Sequence, residues 1–139
     1  MHDQHPADEA TVRRLALLCD QLALIVPRNA PPLDEGDYED IPERNYAQTR
    51  QRVSTRFPML GLYNTVVDVT EQVGNTALAT GDAIDDLTDI VNELQAVLWC
   101  WEHESPANAL WHFWDSYHHH WGEHLRRLQL YLYCLEREL

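Results

Sequence analysis

Ala83-Ile-Asp-Asp-Leu-Thr-Asp-Ile-Val-Asn-Glu-Leu-Gln-Ala-Val-Leu-Trp-Cys-Trp-Glu-His103, followed at once by Glu104-Ser-Pro106, is the stretch on which the fold turns. Ala83, Leu87, Ile90, Val91, Leu94, Val97, Leu98 and Trp101 recur at helical spacing and make one apolar face. Ser105 is placed to cap a second helix, with Pro106 at its first position. No further proline occurs before Glu138. Leu110, Trp114, Tyr117, Trp121, Leu125, Leu128, Leu132 and Leu135 form the matching stripe. Gly122 is read as a weak point, costing about 1 kcal/mol relative to alanine. A connection this short makes the two helices an antiparallel hairpin. Trp101, Trp114, Trp121, Leu128 and Leu132 are its expected core.

Working outward, residues 8–26 carry a further apolar helical pattern, opened by Asp8 and Glu9 and stopped by Pro27 and Pro31-Pro32. The segment 33–43 follows as an acidic loop, with six acids between Asp34 and Glu43, expected to be solvated and mobile. Residues 44–57 hold four arginines and no acid, and suit a short helix closed by Pro58. Around 58–81 the helical pattern fails. Thr65-Val-Val-Asp-Val-Thr70 is β-branched, and turn residues stand at Gly74-Asn75 and Gly81. An irregular connection with at most a minor hairpin is expected there. The chain thus reads as one all-α domain spanning 1–139, a helical bundle ending in a long antiparallel hairpin.

The 139 residues carry a net charge of −13 and no lysine. Such a surface repels phosphate backbones, which disfavours nucleic acid and anionic membranes and suits a basic protein partner or a cation. Cys19, Cys100 and Cys134 are odd in number and sit in apolar patterns, as packed, reduced thiols do. The start of the chain lacks the basic and apolar regions of a signal peptide, and no apolar run is long enough to span a bilayer. A cytoplasmic location is expected; oligomeric state is left open.

Between Phe57 and Leu125 there is no cationic lysine or arginine, yet eleven acids and six histidines occur. Buried carboxylates there must meet histidines, neutral donors, a metal, or an arginine from outside the span. Asp82, Asp86, Asp89 and Glu93 line one edge of the first hairpin helix, with Asp85 turned to solvent. His120 and His124, one turn apart, flank the apolar stripe of the second. His112, Asp115, His119 and Glu123 fall roughly opposite the stripe, on its solvent side. A turn centred near residue 105 puts Asp86 level with His124 and Asp89 level with His120.

Three readings of this polar cluster (Asp82, Asp86, Asp89, Glu93, His120, His124) stay open: a structural hydrogen-bond network, pairing of the acids with Arg50, Arg52 or Arg56, and a metal site. The metal site would use Asp86, Asp89, His120 and His124 to hold a divalent transition metal. The leading expectation is a non-enzymatic interaction module without a cofactor, offering the acidic loop to a basic partner. The alternative is a metal-binding helical bundle or metalloenzyme.

Asp85-Asp86-Leu87, Asp89-Ile90 and Leu94, then Ala109 and Trp111, then His120-Trp121-Gly122 and His124 resemble, in order and spacing, a bacterial domain-of-unknown-function family, number 5063. The first helix and Leu60-Gly-Leu-Tyr63 resemble it more loosely. The resemblance implies a small, mostly helical protein with no established activity, and a shared role for these acids and histidines.

Overall fold

The computed structural model describes residues 6–139 and is mostly helical. Helix α1 is Pro6–Ile25 and α2 is Tyr46–Arg56. Strands β1 (Leu62–Val66) and β2 (Leu78–Asp82) follow, and α3 is Ala83–His103. The last rod consists of α4 (Pro106–Ser116), a π-turn (Tyr117–Trp121) and α5 (Gly122–Arg137). No helix among the described residues is long and apolar enough to cross a membrane.

Helix α3 begins where it does because the Asp82 carboxylate accepts from the Ile84 and Asp85 amides at 3.0 and 3.2 Å. Ser105 Oγ caps α4 by accepting from the Asn108 amide at 3.0 Å. Asn45 does the same for α2 through the Gln48 amide. The core joins Val12, Leu15 and Cys19 of α1 and Val53 of α2 to Ile84, Leu87 and Ile90 of α3. Trp121 and Leu125, Leu128, Leu132 and Leu135 complete it. Helix α2 is fixed to α3 by a buried Thr49–Asn92 hydrogen bond at 2.7 Å and by Arg50 on Asp82 at 2.8 Å.

The connection at 58–81 contains the minor hairpin that the sequence allows. The strands form an antiparallel hairpin in the register Leu62↔Asp82, Tyr63↔Gly81, Asn64↔Thr80. A Cβ at Gly81 would run into the Tyr63 ring, so any larger residue there must displace that ring. The acidic loop is not uniformly solvated: Asp34 turns inward and accepts from Ser105, Tyr38 and the Gly36 amide.

The C-terminal rod departs from expectation at one place. The Gly122 N–H donates to the Tyr117 carbonyl, five residues back, so the π-turn inserts one residue into the helical count. Downstream, Leu125, Leu128, Leu132 and Leu135 are buried as the α-helical pattern requires. Upstream, every side chain is rotated by about 100° relative to a regular helix. Leu110 is therefore 45% exposed and Trp114 only half-buried, while Ala109 and Phe113 take the inward positions. Phe113 stacks on Trp121 with ring centroids 5.6 Å apart. Trp114 is thus corrected from core to boundary. Trp101 is corrected further: it is 60% exposed, because Cys100 occupies the buried position at that level of α3 and its neighbour points outward.

Candidate metal centre

Helix α3 and the start of α5 run side by side, and the facing residues meet as their heights require. His124 Nδ1 lies 2.7 Å from Asp86 Oδ1, and His124 Nε2 lies 3.1 Å from Asp89 Oδ2. His120 Nε2 approaches the same Asp89 oxygen at 3.6 Å, while its Nδ1 is 3.5 Å from Glu93 Oε1. The two imidazoles stand edge to face, 5.3 Å apart. Both histidines therefore present Nε2 to one carboxylate oxygen and Nδ1 to a second carboxylate. Because an ionised carboxylate only accepts, His124 Nδ1 carries the proton it shares with Asp86.

Asp86 is almost wholly buried, and its other oxygen accepts from the Tyr63 hydroxyl. Tyr63 reaches it across Gly81, so the β-hairpin holds the carboxylate that orients His124. Asp85, expected at the solvent face, is instead half-buried under α2 and accepts from the Tyr46 hydroxyl. His112 is also corrected. The π-turn swings it toward α3, where its Nε2, shut from solvent and without a hydrogen bond, faces Glu93 Oε2 at 3.8 Å. In a regular helix His112 and His120 would differ by about 80° in direction; with one residue inserted they agree to about 20°. His119 and Glu123 are exposed, and His119 pairs with the half-buried Asp115. Asp82 does not join the cluster. It caps α3 and takes Arg50, so the arginine reading applies to that residue; no arginine ion pair among the described residues reaches Asp86, Asp89 or Glu93.

The electrostatics follow from burial and from this crowding of acids. The hydrogen bond to Asp86 raises the His124 pKa above its ordinary value, against the opposing effect of burial, with Asp89 and Asp85 adding to the rise. Burial, then the Asp85 charge, raises the Asp89 carboxyl, partly offset by the two histidines. Thiols play no part here: burial pushes Cys19 and Cys100 up to about 12.

Two groups of three residues bring ligand atoms within 4.8 Å of one another: Asp89 with His120 and His124, and Asp85 with Asp86 and His124. Ligands about 2.0–2.2 Å from a tetrahedral zinc lie about 3.3–3.6 Å apart. The 3.1 and 3.6 Å separations at Asp89 fall on or close to that span, and 3.6 Å is too long for a hydrogen bond. The 2.7 Å separation of His124 and Asp86 is a hydrogen bond, too short for two ligands of one ion. Asp86 therefore belongs behind His124, while Glu93 is the carboxylate nearest His120 Nδ1 but, at 3.5 Å, is not hydrogen-bonded to it.

Fold and cluster together define a small helical bundle with a histidine–carboxylate centre between its last two long elements. The family model described as Domain of unknown function (DUF5063) matches residues 8–135, and the chain belongs to that family. No curated protein and no solved structure matches the chain significantly.

Proposed function

We propose that this protein is a metal-binding helical-bundle module, holding one divalent transition-metal ion on Asp89 Oδ2, His120 Nε2 and His124 Nε2. The observation that supports this is the shared orientation of the two imidazoles. Each turns Nε2 to Asp89 and Nδ1 toward a carboxylate of its own; at His124 this is the hydrogen-bonded pairing by which proteins fix and strengthen histidine ligands, and at His120 a 3.5 Å approach. Two nitrogens and one oxygen suit zinc, iron or manganese better than soft or purely oxygen-loving ions. Three protein ligands leave a position for water, where a bound ion acts as a Lewis acid. The surrounding acids offset the charge of the ion, and a cytoplasmic setting is part of the same reading.

The test is metal analysis and melting of untagged protein purified without a nickel column. About one equivalent of metal, or its uptake on adding zinc, should raise the melting temperature, by about 2.7 kcal/mol of stability at a hundredfold excess over Kd. Removal by chelator should reverse the gain. His120→Ala and His124→Ala should abolish it, whereas His118→Ala and His119→Ala, on the exposed part of the same run, should not. The ion must displace the Nε2 proton of His124, so affinity should rise with pH. In the metal-free protein the sign is opposite. The raised His124 pKa gives stability that is complete below about pH 6.5 and is lost as pH rises through the folded-state value. The zinc-induced gain should thus grow over that window; a gain that is flat in pH and survives His124→Ala would sink the proposal.

The acidic loop supports a second reading, docking of a basic protein partner. Glu35, Asp37, Glu39, Asp40 and Glu43 are all exposed, and only Asp34 is tied down. Changing those five to Asn or Gln should shift the melt little while weakening salt-sensitive capture of a basic partner. A large loss of stability would show instead that the loop is an internal brace.

A further inference from the structure

The C-terminal half of helix α1 carries apolar residues on most sides: Leu15-Ala-Leu-Leu-Cys-Asp-Gln-Leu-Ala-Leu-Ile-Val26 is broken only by Asp20 and Gln21. The fold uses one side of it. Val12, Leu15 and Cys19 are buried, while Leu17, Leu18, Leu24 and Ile25 remain exposed, Leu24 to 84%. Leu17 and Leu24 stand seven residues apart, hence on one line along the helix. Beside α1, α5 adds exposed Leu130 and Tyr133, and the two helices are joined across this side by Gln129 on Asp20 at 2.9 Å. Exposed apolar side chains gathered on one side of a molecule mark an interaction surface.

Charge says what covers it. Residues 6–28 hold three acids and three arginines, and residues 122–139 again three of each, so the α1/α5 pair is neutral. The whole net charge of −13 lies elsewhere in the chain. Two further exposed apolar groups are set among acids: Val67, Val69 and Val73 with Asp68 and Glu71, and Leu98 and Trp101 with Glu102. Two copies of this chain would repel one another through either of those patches, whereas the α1/α5 face lets them approach without that cost. We infer that the outer face of α1 and α5 is the self-association surface of this protein, closing a two-fold dimer through a self-complementary apolar patch on two segments whose charges balance.

This inference is independent of the metal reading, and a chelator arm keeps the two apart. Sedimentation equilibrium from micromolar to sub-millimolar concentration, with chelator present, should give a dimer at the upper end. The double variant Leu17→Glu/Leu24→Glu should halve the mass measured there and keep the helical signal and cooperative melt of the monomer, since both side chains are exposed. Val69→Glu/Val73→Glu, at the hairpin tip, should leave the dimer intact. A monomer at every concentration overturns the inference and leaves the face to a different partner. So does a dimer that survives Leu17→Glu/Leu24→Glu, or one that exists only without chelator and is therefore bridged by metal.

Discussion

Replacing Trp121 by alanine should lower the stability of the protein by about 3–5 kcal/mol, the largest effect expected of any single change. The indole is fully buried at the junction of the π-turn and α5. It stacks on Phe113 and takes the edge of Tyr117 at 5.0 Å, and its Nε1–H donates to Ser116 Oγ at 2.9 Å. Alanine removes all three contacts and leaves a cavity between α4, α5 and α3. Trp121→Phe keeps part of the volume and should cost less. Ser116 retains its own bond to the His112 carbonyl, so it is not stranded by that change. Denaturant midpoints at unchanged slope would measure both losses. A midpoint unmoved by Trp121→Ala would show that α5 does not pack through this face.

Gly122→Ala should destabilise by about 1–3 kcal/mol, the range for forcing atoms into a filled space. The opposite sign follows from helix propensity alone, by which alanine gains about 1 kcal/mol over glycine. What reverses the sign is the π-turn: a Cβ on Gly122 would sit 2.5 Å from the Tyr117 carbonyl oxygen, which is backbone and cannot swing aside. The variant must either bear that overlap or shift the turn, and shifting it moves His120 and His112 relative to Glu93. Melting should therefore fall, and the zinc-induced gain should shrink with it. A more stable variant with full metal response would mean that residues 117–122 relax to a regular α-helix without consequence.

Much of the hairpin was legible because its signals are local. Ser105-Pro106 marks a helix start by capping chemistry, and the break between α3 and α4 follows from it. Counting heights from the turn puts Asp86 opposite His124, and the structure has them 2.7 Å apart. The failures in the last rod share one cause. A helical wheel assumes a constant angle per residue, so it holds for Leu125 to Leu135 and breaks for Leu110, His112 and Trp114, on the far side of the inserted residue. Gly122 was the available sign, read as weakness instead of close approach. Tyr63 and Tyr46 escaped notice for a different reason. Each reaches its carboxylate from a separate element, and long-range contacts of that kind leave no spacing in the chain. Trp101 shows the limit of periodicity: an apolar arc wider than its partner leaves one edge outside.

The π-turn gives the segment between Ser116 and Gly122 an unusual kind of specification. His118 and His119 are exposed, so their side chains tolerate exchange. Their number is what the π-turn takes up. Deleting either should leave a regular helix through this stretch with α4 facing as it does now, Leu110 outside and His112 against Glu93, whereas straightening the turn at full length would rotate α4 by about 100°. In this short stretch the chain stores one surplus residue without turning either flank.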